Sequence, residues 1–180
     1  QLEALDRPVQ GLVVAGPANP TGTLVDARTL DDLVGWCAAH DVRLVSDEIY
    51  HGITYGPGGA VPGAGAPTAA GATDRGAVVV SSFSKYWAMT GWRMGWSIWP
   101  NGPQSANLYD KVRKLAVNCW SCVNAPSQYA GIAAIDGPQD EVEKMMAAFD
   151  SRRKVVVDGL NALPGISCAT PKGAFYAFPN

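Results

Sequence analysis

Seven side chains in this sequence are of types that could do chemistry together: Asn19, Asp47, Tyr50, Ser82, Ser84, Lys85 and Arg93. A lysine amine can condense with a carbonyl carbon and, when neutral, move a proton. An aspartate can hold a cationic ring nitrogen. A phenol and an amide can donate to a ring oxygen. Serine hydroxyls and a guanidinium can hold a phosphate, the guanidinium with two parallel hydrogen bonds. Each residue also has an ordinary reading. A lysine after a strand is usually a solvated charge. Asp47, Ser82 and Ser84 could cap helices, Tyr50 could sit in a core with its hydroxyl satisfied, Asn19 before Pro20 could be only a turn residue, and Arg93 could lie on the surface.

The elements that must position these residues can be read from periodicity. Residues 11–16 (GLVVAG), 42–46 and 77–80 are short apolar runs bounded by turn residues, the pattern of buried strands. A fourth strand is predicted over 93–98. Between the first two runs, Leu30, Leu33, Val34, Cys37 and Ala38 keep one helical stripe, with Asp26 as its N-cap. Residues 56–72 are rich in Gly, Pro and Ala without periodicity and read as a surface loop. Beyond residue 100 the pattern is helical, over 108–117, 127–135 and 140–163, before Pro164-Gly165. A strand is expected at 173–178, and residues 1–6 read as the tail of a helix. Strands alternating with a helix imply an α/β fold with a mainly parallel sheet, whose ligands bind at the carboxyl ends of the strands. Asn19, Asp47, Tyr50, Ser82, Ser84 and Lys85 each follow a strand.

Three segments, in order, carry a resemblance: Ala18-Asn19-Pro20-Thr21-Gly22; Ser46-Asp47-Glu48-Ile49-Tyr50; and Ser82-Phe83-Ser84-Lys85 with Thr90-Gly91-Trp92-Arg93-Met94-Gly95-Trp96. Asp47 and Tyr50 are three apart, Ser82 and Lys85 three apart, Lys85 and Arg93 eight apart. Together with Gly173-Ala174-Phe175-Tyr176, this order resembles the aspartate aminotransferase family, class I/II pyridoxal-phosphate enzymes of fold type I. The resemblance implies a three-layer α/β/α sandwich with a mainly parallel sheet. A partial large, cofactor-binding domain would span 1–138, and 139–180 would hold an inter-domain helix and the start of a smaller α+β C-terminal domain. It implies pyridoxal 5'-phosphate as cofactor, carried as a Schiff base on Lys85. Lys85 would then shuttle the proton between the substrate α-carbon and the cofactor. Asp47 would pair with the pyridinium nitrogen, Tyr50 and Asn19 with the phenolic oxygen, and Ser82, Ser84 and Arg93 with the phosphate. The implied reaction is transamination between an amino acid and a 2-oxo acid. A β-lyase or decarboxylase on the same scaffold, or the cofactor-sensing domain of a transcription regulator, would use the same cofactor residues.

Members of this family have a glycine-rich phosphate segment and a ring-stacking aromatic that would precede Gln1, and a carboxylate-binding arginine that would follow Asn180. The 180 residues therefore read as a fragment of a longer protein, homodimeric when complete and inactive as the fragment alone. Composition agrees with an ordinary globular protein, at 47% hydrophobic and 17% charged residues. A net charge of −2 gives no footprint for nucleic acid, and no apolar run of about 18 residues suggests a membrane span. Cys119 and Cys122 form a CxxC with no second pair and no nearby histidine, so no metal is expected. With no leader pattern, a reducing cytoplasm is the expected setting. His51 is read as a loop residue, Trp87, Trp92 and Trp96 as packing, and Arg152-Arg153-Lys154 as a solvated helix face.

Overall fold

The computed structural model describes residues 7–62 and 65–180; the helix tail expected at 1–6 lies outside them. In chain order the elements are β1 (Gly11–Ala15), α1 (Ala27–Ala39), β2 (Arg43–Asp47), β3 (Tyr55–Gly56), β4 (Gly59–Ala60), β5 (Val78–Ser82), β6 (Gly95–Ile98), α2 (Pro103–Trp120), α3 (Ala125–Asp136) and α4 (Asp140–Asn161). The main sheet has the order β1-β2-β5-β6, and β3 and β4 form a small hairpin. β1 and β5 both run parallel to β2, while β6 runs antiparallel to β5.

Sequence explains the central elements directly. Val13, Val14, Val45 and Val78 to Val80 are β-branched and favour the pleated sheet. α1 begins where Asp26 accepts the Thr29 N–H and hydroxyl, both at 2.8 Å, and its buried stripe is Leu30, Val34 and Cys37. That stripe packs with Leu44 and Val79 of the sheet and with Ala69, Ala72 and Ala77. Each large apolar side chain buried there contributes roughly 1.5–3 kcal/mol before conformational entropy is counted. The opposite side is open at Val13, which is 71% exposed. α2 and α3 likewise leave Leu115, Trp120, Tyr129 and Ile132 exposed.

A second cluster joins distant parts of the chain. Val142 and Met146 of α4 pack on Tyr50, Ile53, Tyr55 and Ala174, with Phe149 and Tyr176 at its margin.

Three expectations need correction. Residues 56–72 are not simply a surface loop. They include the β3–β4 hairpin, and Ala66, Ala69 and Ala72 are buried. Small side chains let Ala69 and Ala72 pack with Leu44 and Val79 of the sheet, which a scan for periodicity cannot register. Residues 173–178 form no strand. They make a turn and one isolated bridge, Thr54 with Gly173, and a second bridge follows at Pro179 with Cys168; Ala174 adopts φ 56°. Arg153 is not part of a solvated face: its side chain is only 12% exposed. Its Nη2 meets Asp150 Oδ1 at 2.5 Å, its Nη1 donates to the Pro171 carbonyl at 2.9 Å, and the guanidinium lies 4.3 Å from the Tyr55 ring centre.

Candidate active site

The sheet register brings the candidate residues to one edge. Asp47 ends β2 opposite Ala15 of β1 and Val80 of β5. The segments leaving those strands, carrying Asn19 on one side and Ser82 to Lys85 on the other, therefore emerge beside it. Backbone bonds tie the three strand ends together: the Gly16 N–H donates to the Asp47 carbonyl at 3.0 Å, and the Glu48 N–H to the Val80 carbonyl at 2.9 Å. The Ser81 hydroxyl donates to the Glu48 carbonyl at 3.0 Å. Asp47 itself accepts the Ile49 N–H at 3.2 Å, which fixes the turn toward Tyr50.

Tyr50 is buried, and its hydroxyl hydrogen-bonds that of Tyr176. Burial pushes the Tyr50 phenol well above the usual tyrosine range. Its bond with Tyr176 and the nearby Tyr176 and Asp47 charges push the same way, while a hydrogen bond with the Asn19 side chain pulls it back. Lys85 Nζ lies 5.9 Å from the centre of the Tyr50 ring and 5.8 Å from that of Phe175. Its turn is fixed by the Ala88 N–H on the Lys85 carbonyl at 3.1 Å and the Met89 N–H on the Phe83 carbonyl at 3.2 Å. Ser82 Oγ lies 2.8 Å from Ser84 Oγ and accepts the Ser84 N–H at 2.9 Å.

Asn19, Asp47, Tyr50 and Lys85 thus share one neighbourhood, and the two serine hydroxyls sit together in the turn that leads to Lys85. Arg93 is exposed. Its Nη1 donates to the Thr90 carbonyl at 2.8 Å, and the Thr90 hydroxyl reaches the Ser84 carbonyl at 2.7 Å. Arg93 lines an open cavity of about 680 Å³ with Ser81, Trp96, Cys122 and Asn124. The tryptophans expected to pack do so in part: Trp87 and Trp96 pack with Phe83, although Trp96, like Trp92, is exposed.

Three residues around this neighbourhood escaped sequence reasoning as site members. Glu48 is 4% exposed. It accepts the Ser46 hydroxyl at 2.9 Å, the Ala69 N–H at 2.8 Å and the Thr68 hydroxyl at 2.6 Å. His51, in the turn that follows Tyr50, has its Nδ1 3.6 Å from the Glu48 oxygen that Thr68 also meets. The alternation along β2 was the available signal, because Leu44, Ser46 and Glu48 share its buried face. Phe175 and Tyr176 reach the site from more than 120 residues away, as the 126-residue separation of the Tyr50–Tyr176 pair shows. No local pattern announces such a contact.

The approach of that distant segment depends on Gly22. The N–H groups of Lys172 and Gly173 both donate to the Gly22 carbonyl at 3.0 Å. Gly22 has φ +66°, and a Cβ there would come within 2.4 Å of Pro171 Cβ. The Ala174 N–H donates to the Ile53 carbonyl at 2.9 Å, and the Tyr55 hydroxyl to the Ala174 carbonyl at 2.8 Å. These bonds hold the turn that presents Phe175 and Tyr176.

Among the described residues no group of His, Cys, Asp and Glu side chains is arranged to hold a metal ion, and no helix is long and apolar enough to cross a membrane. Cys119 and Cys122 are free and exposed.

Comparison with known proteins places the chain in a family. The family described as aminotransferase class I and II matches residues 1–180. A valine–pyruvate aminotransferase of Mycobacterium tuberculosis is 39% identical over 183 residues, covering 98% of this chain and 43% of that protein. An aspartate aminotransferase of Geobacillus stearothermophilus is 37% identical over 99% of this chain and 43% of its own length. Among solved structures, an aminotransferase from Mycobacterium tuberculosis superposes with TM-score 0.83 at 41% identity, over 99% of this chain and 43% of that one. An alanine aminotransferase from Pyrococcus furiosus gives TM-score 0.82 at 32% identity, over 95% of this chain and 42% of that one. The chain therefore spans less than half the length of these relatives. With its fold, its ordered motifs and its family match along the whole sequence, the chain belongs to the class I and II aminotransferases.

Proposed function

We propose that the protein containing this chain is a pyridoxal-phosphate-dependent aminotransferase that exchanges an amino group between an amino acid and a 2-oxo acid. The observation that carries this reading is the convergence of Lys85, Tyr50, Asn19 and Asp47 at one sheet edge. Their chemistry fits the cofactor: an amine for its aldehyde, a carboxylate for its ring nitrogen, and a phenol and amide for its ring oxygen. When bound, pyridoxal phosphate supplies an aldehyde that captures amines and a ring that accepts the electron pair left by a departing α-proton.

The residues divide the remaining work. Lys85 Nζ would be the amine that holds the cofactor's aldehyde, and when free and neutral the same amine would take up the substrate α-proton and give it back, serving as both base and acid. Asp47 keeps the ring nitrogen protonated. Tyr50 and Asn19 donate to the ring oxygen. Ser82 and Ser84 would offer hydroxyls to the phosphate and Arg93 its guanidinium, which here donates to the Thr90 carbonyl. In this reading residues 1–138 belong to the large domain and 139–180 lead into the small one, and the whole protein works as a cytoplasmic homodimer. Relatives named for valine, aspartate and alanine differ in substrate, so the reading stops at amino acid and 2-oxo acid.

The test is a half-reaction on the full-length protein. With an amino acid and no acceptor, one 2-oxo acid should form per site while the nitrogen stays with the protein. Adding a second 2-oxo acid should then release a new amino acid. Continuous release of ammonia with pyruvate would indicate a lyase, carbon dioxide a decarboxylase, and no turnover a sensing domain.

A further inference from the structure

Tyr50 has a partner that the reaction scheme above does not use. Its hydroxyl bonds that of Tyr176, and the two rings meet edge-on with centres 5.6 Å apart. Phe175 meets the Tyr50 ring edge-on at 5.3 Å. The turn that delivers both is held from four directions: by Gly22, by Ile53, by the Tyr55 hydroxyl and by Arg153. A surface tyrosine touching a neighbour would need no such scaffold.

We infer that Tyr176 is a positioning residue for the proposed reaction, acting through Tyr50: its hydroxyl donates to the Tyr50 oxygen and so aims the Tyr50 proton at the cofactor's ring oxygen. This rests on the aminotransferase reading. A phenol has one proton to give and two lone pairs to fill. Asn19 and Tyr176 both stand beside the Tyr50 oxygen. Either hydroxyl of the Tyr50–Tyr176 pair can be the donor; with Tyr50 as donor its phenol is held up, and when Tyr176 and Asn19 both donate, the Tyr50 proton is left for a third acceptor and the chain Tyr176 to Tyr50 to ring oxygen polarises in one direction. Without Tyr176, Tyr50 donates more weakly and is held in place only by Asn19 and packing.

The sign of the effect follows. A donor to the ring oxygen stabilises the form of the bound cofactor with more negative charge on that oxygen, which is the deprotonated form. Losing Tyr176 therefore raises the pH at which the bound cofactor's absorbance titrates. Among the described residues the other ionisable groups near Tyr50 are Asp47 and Lys85, with Tyr55 and Tyr86 in the same cluster, and all remain in the variant.

The test is a spectral pH titration of the full-length holoprotein as wild type, Tyr176→Phe, Tyr50→Phe and the double variant, with Lys85→Ala as control. Tyr176→Phe should raise the midpoint by about half a pH unit, roughly a threefold change in proton affinity. Tyr50→Phe should raise it further, and adding Tyr176→Phe to Tyr50→Phe should change nothing more. An unchanged midpoint in Tyr176→Phe, or an equal shift in the presence and absence of Tyr50, overturns the inference. If Lys85→Ala keeps the wild-type spectrum, the aminotransferase reading fails instead, which separates the two failures.

Discussion

Replacing Arg153 by Met tests whether the turn carrying Phe175 and Tyr176 is held as the structure indicates. The substitution removes the bonds from Nε and Nη2 to Asp150, the bond from Nη1 to the Pro171 carbonyl, and the stacking on Tyr55. Asp150 is not stranded, because Lys154 Nζ still reaches its other oxygen at 2.6 Å. A charge-assisted hydrogen bond is worth about 1.5–3 kcal/mol, and an unpaired buried carbonyl costs about 1–3 kcal/mol. Losing the ring contact adds up to about 1 kcal/mol. Because these effects share one side chain they do not sum fully, and a loss of about 3 kcal/mol is expected. Arg152, next in the chain but exposed, serves as the control and should cost less than about 0.5 kcal/mol when replaced by Met. Urea unfolding of the two full-length variants, followed by tryptophan fluorescence, measures the difference. Equal midpoints for the two would refute the assignment of Arg153 as the anchor of Pro171.

Further outcomes follow from other parts of the structure. Gly22→Ala should destabilise by about 1–2 kcal/mol from its positive φ alone, and more because the added Cβ meets Pro171; equilibrium unfolding should show the loss, and full stability would contradict the close approach. Burial pushes the Tyr55 phenol up to about 12, with Arg153 pulling down and Asp150 pushing up. Its contribution to stability is intact below the unfolded value of roughly 10 and is lost as pH rises through about 12. Wild type should therefore lose stability over that alkaline window faster than Tyr55→Phe, and parallel curves would count against it. The 180-residue chain by itself, which covers 43% of the length of the relatives it matches, should show no amino-acid-dependent turnover; robust activity of the isolated chain would show that the remaining length is dispensable.

The parts of the fold that sequence made legible are those whose physics is local. β1, β2, β5 and α1 each announce themselves by an apolar run or stripe, and α1 also by the Asp26 cap. Asn19, Asp47, Tyr50 and Lys85 could be grouped before the structure because parallel strands end on one edge, and each follows such a strand. What remained hidden depends on distant partners. The apolar run at 173–178 looks like a strand, yet Gly22, Ile53 and Tyr55 claim its hydrogen bonds. Arg153 sits in a run of three cations that reads as solvated, but Asp150 and the Pro171 carbonyl draw it inward. Residues 56–72 gave no period because alanines bury without one. Glu48 was visible in its motif but not as a buried acceptor, since its donors Thr68 and Ala69 lie about twenty residues on.

The most direct test of the central claim is to fix the cofactor where it binds. The full-length holoprotein would be reduced with borohydride, digested with trypsin and mapped by mass spectrometry. A modified Lys85 blocks cleavage after it, so the cofactor mass should appear on the peptide spanning residues 76–93. Finding residues 76–85 as an unmodified peptide, with the cofactor mass on a different lysine, would contradict the assignment of Lys85.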